Sequence, residues 1–212
     1  MIYWPLVIFV EPSRSPVTNG AVRIGLYGGS FDPVHLGHLL VAQAALEEVK
    51  LERVVFIPAA QSPFKPERKL SPDALRARML RLALAGRSDC ELDLQELVRG
   101  GVSYTIDTVR AYRQRFPGAE LLYLIGADHV TLLPKWRDAT ELAASLEFIV
   151  IPRPGQSEVS FPGGFHGRYL AGFPLGVSSS QIRERVRVGK PVDLLTGSAV
   201  AEAIRQNGLY LS

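Results

Sequence analysis

The sequence predicts an α/β domain of the doubly wound kind, a mainly parallel sheet covered by helices on both faces. Three observations predict it. Short apolar, β-branched runs bounded by Gly or Pro alternate with helix-length stretches, the pattern of successive strand–helix–strand crossovers. Those runs are apolar almost throughout, as strands buried on both faces are. And 212 residues suit one domain with its own core.

In chain order, residues 1–21 form an N-terminal lead. Its first part, 2–10, is apolar, and 11–20 is rich in Pro, Ser, Asn and Gly, an irregular entry into the fold. The fold proper spans 22–212. A first strand is predicted at 22–28, where an apolar run meets paired glycines. A helix follows at 36–49, then a strand at 54–58 closed by Pro58, and a helix at 72–85 entered through Pro72. A weaker strand at 90–94 precedes a helix at 106–115. Next come a strand at 121–126, a broken helical stretch at 129–144 that contains Pro134, and a strand at 146–152. From 157 to 167 Gly, Pro and Phe recur without period, which reads as a surface excursion, and 169–173 reads as a last strand. Two helices close the chain at 180–188 and 198–207, the second stopped by Gly208. Ligands of open α/β sheets bind outside the carboxyl ends of the strands, so each strand-to-loop junction is a place to look for chemistry.

Composition narrows the function classes. Apolar residues make up 47% and charged residues 21%, which excludes a disordered chain. A formal net charge of +3 suits phosphorylated small molecules and is too mild to argue for nucleic acid. The lone Cys90 excludes an internal disulfide and a multi-cysteine metal cluster, and within an alternating run it reads as a small core residue. His129 and His166 read as polar surface or loop residues. The apolar stretch 2–10 is shorter than the roughly 18 residues a membrane span needs and lacks a basic lead-in and a cleavage site. A cytoplasmic location without a membrane partner is therefore expected, and a homo-oligomer is left open.

The first junction reads Gly28-Gly29-Ser30-Phe31-Asp32-Pro33-Val34-His35-Leu36-Gly37-His38. Two glycines permit a sharp turn and close approach to a ligand, and the helix beginning near Leu36 aims free N–H groups at the same space. His35 and His38, three apart, share one helix edge that faces this anion site. Near the other end, Ser178, Ser179 and Ser180 open a helix ahead of Arg183. Serines before a helix are ordinary caps, yet the same geometry makes a second anion cradle in which a guanidinium can hold two phosphates.

The first stretch resembles the H-x-G-H phosphate-binding element of the nucleotidylyltransferase superfamily, and the second its I-S-S-T-x-I-R element, with Ser180 in place of threonine. The resemblance implies a Rossmann-like domain with ATP as co-substrate, bound by Gly28, Gly29, Ser30, Phe31, His35, His38, Ser178, Ser179, Ser180 and Arg183. It assigns catalysis to His35, His38 and Arg183. Mg²⁺ is expected to arrive on the ATP phosphates, because no carboxylate cluster with metal-site spacing is visible.

Three intermediate stretches bear on the acceptor. The proline-braced loop 57–66 ends at Lys65, by composition a solvated lysine, and is similar to the P-x-x-x-P-P-H-K loop of nicotinate-nucleotide adenylyltransferases, with Phe64 where that family has histidine. The run Ser103-Tyr104-Thr105-Ile106-Asp107-Thr108, whose hydroxyls read first as caps, matches that family's S-Y-T-x-D-T. Asp128 at a strand end and Trp136 resemble its G-x-D and L-x-x-W elements. Carried over, Lys65 would reach substrate phosphate, Thr105 the pyridine carboxylate and Asp128 ribose hydroxyls or a metal-bound water. Trp136 would stack on the nicotinate ring, and Arg137 adds positive charge beside it. The implied reaction is transfer of AMP from ATP to nicotinate mononucleotide, giving deamido-NAD and pyrophosphate. Nicotinamide mononucleotide or phosphopantetheine as acceptor, and a nucleotide-sensing module without turnover, remain the alternatives.

Overall fold

The apolar runs become neighbouring strands of one sheet, all paired in parallel. The computed structural model describes residues 21–211 apart from 65, 66, 68, 153, 154, 156, 157 and 174. Its strands are β1 (Arg23–Gly29), β2 (Arg53–Pro58), β3 (Cys90–Leu92), β4 (Glu120–Gly126), β5 (Glu147–Ile151) and β6 (His166–Tyr169). They lie in the order β3-β2-β1-β4-β5-β6, each pair parallel. The helices are α1 (Leu36–Glu48), α2 (Asp73–Leu84), α3 (Gln95–Arg99), α4 (Thr105–Arg115), α5 (Ala139–Ser145), α6 (Ser179–Arg187), α7 (Asp193–Thr196) and α8 (Ser198–Gln206). A 3-10 helix, Ala127–Lys135, joins β4 to α5. The predicted lead lies outside the described residues up to position 20.

Successive strand residues point to opposite faces, and both faces are covered. On β2, Val54 and Phe56 enter the core shared with α1, α2 and α8, whereas Val55 and Ile57 enter the core shared with α4 and α5. This two-sided burial is why the central strands read as unbroken apolar runs.

The sequence and the structure part company at short or polar elements. The last strand, expected at 169–173, lies at His166–Tyr169, beginning within the stretch read as an excursion and overlapping the expected strand only at Tyr169. It is an edge strand with no fully buried residue, so it carries no apolar signature, and the apolar neighbours Phe165 and Leu170 flank it. The helical stretch expected at 129–144 is the 3-10 helix followed by α5, separated at Trp136–Asp138, and Pro134 removes a backbone donor just before the break. Helices α3 and α7 are one turn or little more, too short for a helical period to show.

The register explains where ligands can enter. β1 pairs with β2 as far as Gly29 and Pro58, but its pairing with β4 ends at Leu26 and Tyr123. Beyond that point β1 and β4 part. This is the place where strand order reverses, and a crevice opens between their carboxyl ends.

Candidate active site

Gly28 and Gly29 end β1 at the rim of that crevice. A Cβ on Gly28 would lie 2.2 Å from the Tyr123 hydroxyl, so the tyrosine ring fills the room that glycine leaves. The chain then turns through Phe31, whose φ of 45° is in the left-handed region, and enters α1 with His35 as its extended N-cap residue. The His35 backbone N–H donates to Nδ1 of His38 over 3.2 Å. With Nδ1 accepting, the neutral His38 ring carries its proton on Nε2.

The two imidazoles stack with centroids 3.7 Å apart. Burial pushes the His35 imidazole down to about 4, and burial together with the neighbouring His35 holds His38 well below its ordinary value. Both rings are therefore neutral near pH 7, able to donate without charge. His35 Nδ1 is buried without a hydrogen-bond partner among the described residues. Phe31 does not enter the crevice; it is buried and backs the His38 ring at 4.9 Å.

The start of α6 reaches the same turn from the far end of the chain. Ser178 caps the helix by accepting from the Gln181 backbone N–H, and Gln181 Oε1 accepts from the Ser178 N–H. The Ser179 hydroxyl donates to the Pro33 carbonyl over 2.9 Å, and Arg183 Nη1 donates to the Asp32 carbonyl over 2.8 Å. These bonds bring the starts of α1 and α6 side by side. Gly37 makes the approach possible: a Cβ there would press at 3.0 Å on the His35 ring and at 3.3 Å on the Val177 carbonyl. The Asp32 carboxylate, itself buried, accepts from the Tyr210 hydroxyl at 2.6 Å and from the Ser71 N–H at 3.4 Å.

The crevice itself is a cleft of about 220 Å³. It is lined by Gly28, Gly29 and Ser30 together with Thr105, Tyr123, His129 and Trp136, with Glu96 and Ser103 also reaching it. His35, His38 and Arg183 do not line this cleft; they follow the Gly28–Ser30 turn, where the starts of α1 and α6 meet. Trp136 stands edge-on to Tyr123, His129 and Phe148 at 6.0–6.2 Å, with Phe64 across from it at 6.1 Å. Its indole Nε1 is buried without a partner among the described residues.

Of the other residues singled out in the sequence, Thr105 opens α4 and its hydroxyl donates to the Tyr123 hydroxyl over 3.4 Å. Asp128 and Arg137 are exposed and outside the cleft lining, and the Arg137 guanidinium sits 4.6 Å above the Tyr104 ring. Lys65 lies outside the described residues. His129, read as a surface residue, is half-buried against Trp136 and Phe64, because the 3-10 helix tucks it under the loop after β2. His166 is exposed on β6, and burial raises the Cys90 thiol to about 11, away from any nucleophilic role. Among the described residues no group of three or more His, Cys, Asp or Glu could hold a metal ion, and no helix is long and apolar enough to cross a membrane.

Two residues that shape the site were missed. Arg76 on α2 is fully buried and donates to the Ser30 carbonyl at 2.8 Å and the Ala59 carbonyl at 2.7 Å, joining the loops after β1 and β2. Its signal was there: it stands four residues before Leu80 and eight before Leu84, on the inward stripe of the helix. Glu96 is buried beside the cleft, on a helix too short to be read.

Known proteins resemble this chain along most of its length. Residues 26–185 match the cytidylyltransferase-like family. A probable nicotinate-nucleotide adenylyltransferase of Shouchella clausii is 43% identical over 188 residues, covering 89% of this chain and 96% of its own. The nicotinate-nucleotide adenylyltransferase of Bacillus subtilis is 40% identical over 192 residues, covering 90% and 99%. In fold, the chain superposes on the Plasmodium falciparum nicotinic acid mononucleotide adenylyltransferase complexed with NaAD with a TM-score of 0.71 at 19% identity, over 89% of this chain and 97% of that one. By the extent and identity of these matches, the chain belongs to the cytidylyltransferase-like family, in its nicotinate-nucleotide adenylyltransferase branch.

Proposed function

We propose that the chain transfers AMP from ATP to the phosphate of nicotinate mononucleotide, giving deamido-NAD and pyrophosphate. The observation that carries this reading is the meeting of the α1 and α6 starts at the Asp32–Pro33 turn, beside a cleft walled by Trp136. The acceptor phosphate is already an anionic nucleophile. Its oxygen attacks the α-phosphorus of ATP in line, the bond from that phosphorus to the bridging oxygen breaks, and pyrophosphate leaves with the electron pair. No proton need be removed from the nucleophile, so the protein's task is positioning and charge stabilisation.

His35 and His38 serve as neutral donors at the α-phosphate, with Nε2–H of His38 following the charge that builds in the transition state. The turn of Gly28, Gly29 and Ser30 supplies close backbone, and Phe31 holds the His38 ring from behind. Ser178, Ser179 and Ser180 present the α6 start to the outer phosphates. Arg183 spends one guanidinium nitrogen on Asp32 and keeps its remaining donors for the departing pyrophosphate. Mg²⁺ would be held by the ATP phosphates and water, since the described side chains offer it no cage.

The acceptor ring lies against Trp136. An acidic ring is favoured over a neutral one because α4 begins at the cleft with no side-chain cap on its first N–H groups, a positive helix end open to a carboxylate. Thr105 belongs to that end, and Arg137 supports it through Tyr104. Lys65 and Asp128 are assigned to the acceptor phosphate and the ribose hydroxyls. The lone cysteine and the demand for ATP fit a reducing cytoplasm.

Pyrophosphate release with ATP and each acceptor in turn tests the reading. Nicotinate mononucleotide should exceed nicotinamide mononucleotide by about ten-fold or more in kcat/KM, the worth of one well-placed charge contact. Preference for phosphopantetheine would reject the acceptor assignment. Tight ATP binding without release from any acceptor would favour a sensor.

A further inference from the structure

Glu96 is a carboxyl at the edge of the ligand cleft with only 4% of its surface exposed. A buried acid facing a substrate that carries a carboxylate needs a reason to be there, because an unpaired buried charge is costly and would repel the ring it meets. Its partners supply the reason. The Thr108 hydroxyl, one turn into α4, donates to Glu96 Oε1 over 2.6 Å, and the Ser103 hydroxyl also hydrogen-bonds the carboxyl. Ser103 accepts in turn from the Ala60 backbone N–H at 2.9 Å, and its own N–H donates to the Gln61 carbonyl at 2.9 Å. One side chain on α3 therefore ties together the start of α4 and the loop after β2 that carries Phe64.

We propose that Glu96 is a positioning residue for the acceptor, fixing the start of α4 and the loop after β2 as matched walls of the nicotinate pocket while leaving the triphosphate subsite untouched. The proposal rests on the acceptor reading given above and deepens it. No contact to substrate is required of Glu96; it acts through Ser103 and Thr108 on the backbone donors beside Thr105. Nor is its charge required. Burial raises the carboxyl above its ordinary value, against the pull of the two hydroxyls and of Arg99, with Asp93 adding to the rise. Its useful feature is the set of oxygens that receive the hydroxyls, which an amide oxygen can also supply.

The test compares Glu96→Ala and Glu96→Gln with the parent enzyme, reading KM for nicotinate mononucleotide, KM for ATP and kcat. Glu96→Ala should raise the acceptor KM about ten-fold, the equivalent of one lost buried hydrogen bond, with the ATP KM within about two-fold of the parent. Glu96→Gln should stay within about two-fold of the parent on both. If Glu96→Ala does not fold, Thr108→Val decides: Thr108 is fully buried, valine keeps its volume, and loss of the hydroxyl should raise the acceptor KM alone. Equal rises in both KM values, an unchanged acceptor KM, or a Gln variant as impaired as the Ala variant would each overturn the proposal. A parent enzyme inactive with nicotinate mononucleotide would instead overturn the acceptor reading.

Discussion

Replacing Arg76 by methionine tests how the fold holds the site. The guanidinium donates to the carbonyls of Ser71, Ser30 and Ala59 at 3.2, 2.8 and 2.7 Å and pairs with Asp73 at 2.5 Å. Methionine keeps most of the volume, so the cavity contribution is small and the polar loss dominates. Asp73 is half-exposed and rehydrates at little cost. The Ser30 and Ala59 carbonyls are half-buried, and each loses a charged donor worth about 1–2 kcal/mol here. The expected loss is about 2–4 kcal/mol, a fall in Tm of roughly 5–15 °C for a chain of this size. Because Ser30 and Ala59 both line the cleft, and the proposed function gives the first to the triphosphate and the second to the acceptor, KM should rise for both substrates together. Urea denaturation and steady-state kinetics read the two effects. A Met variant within about 0.5 kcal/mol of the parent, a typical neutral surface change, with unaltered KM values, would refute the assignment of Arg76 as the brace between the two loops.

His38→Ala should lower kcat by about 10²-fold while leaving the fold intact, the usual loss for a preorganised donor; stopped pyrophosphate assays and a melting curve check this, and normal turnover would remove the imidazole from the mechanism. Trp136→Ala should raise the acceptor KM by roughly 10-fold or more through lost stacking with little change for ATP, and equal effects on both substrates would reject the stacking role. Acid should destabilise the chain through His35. Unfolded, that ring titrates at 6.5, while folded it titrates at about 4, so below pH 6.5 only the unfolded state takes up the proton. Stability should fall as pH drops from 6.5 toward 4, by about 3 kcal/mol from this group at the lower end. His35→Gln should flatten the pH 6.5–5 part of a denaturation series, and an unchanged slope would contradict the buried neutral imidazole.

Much of this architecture could be read beforehand because its central strands are buried on both faces, so that β1, β2, β4 and β5 each announce themselves as apolar runs. The helix starts at His35 and Ser178 were legible for a different reason: an anion site needs glycine and hydroxyl residues at fixed offsets, and that pattern survives in one dimension. What stayed hidden depends on the third. Edge strand β6 exposes His166 and Arg168 on one side and offers only Gly167 and Tyr169 to the core on the other, and α3 is too short to show a period. Glu96 looks like a surface charge until the loops it holds close around it, whereas Arg76 is marked by its place on the inward stripe of α2. His129 looked like a loop residue and became part of a wall because the 3-10 helix after β4 turns it inward beside Trp136. Arg137 is exposed, its guanidinium over the Tyr104 ring, a partner that sequence order alone does not show.

The most direct test of the central claim is a crystal structure of the chain with a non-hydrolysable ATP analogue. The triphosphate should span the gap between the α1 and α6 starts, its α-phosphate within hydrogen-bonding reach of His38 Nε2 and its outer phosphates against Ser178–Arg183. A triphosphate seated on only one of those helix starts, or held elsewhere on the sheet, would contradict the account.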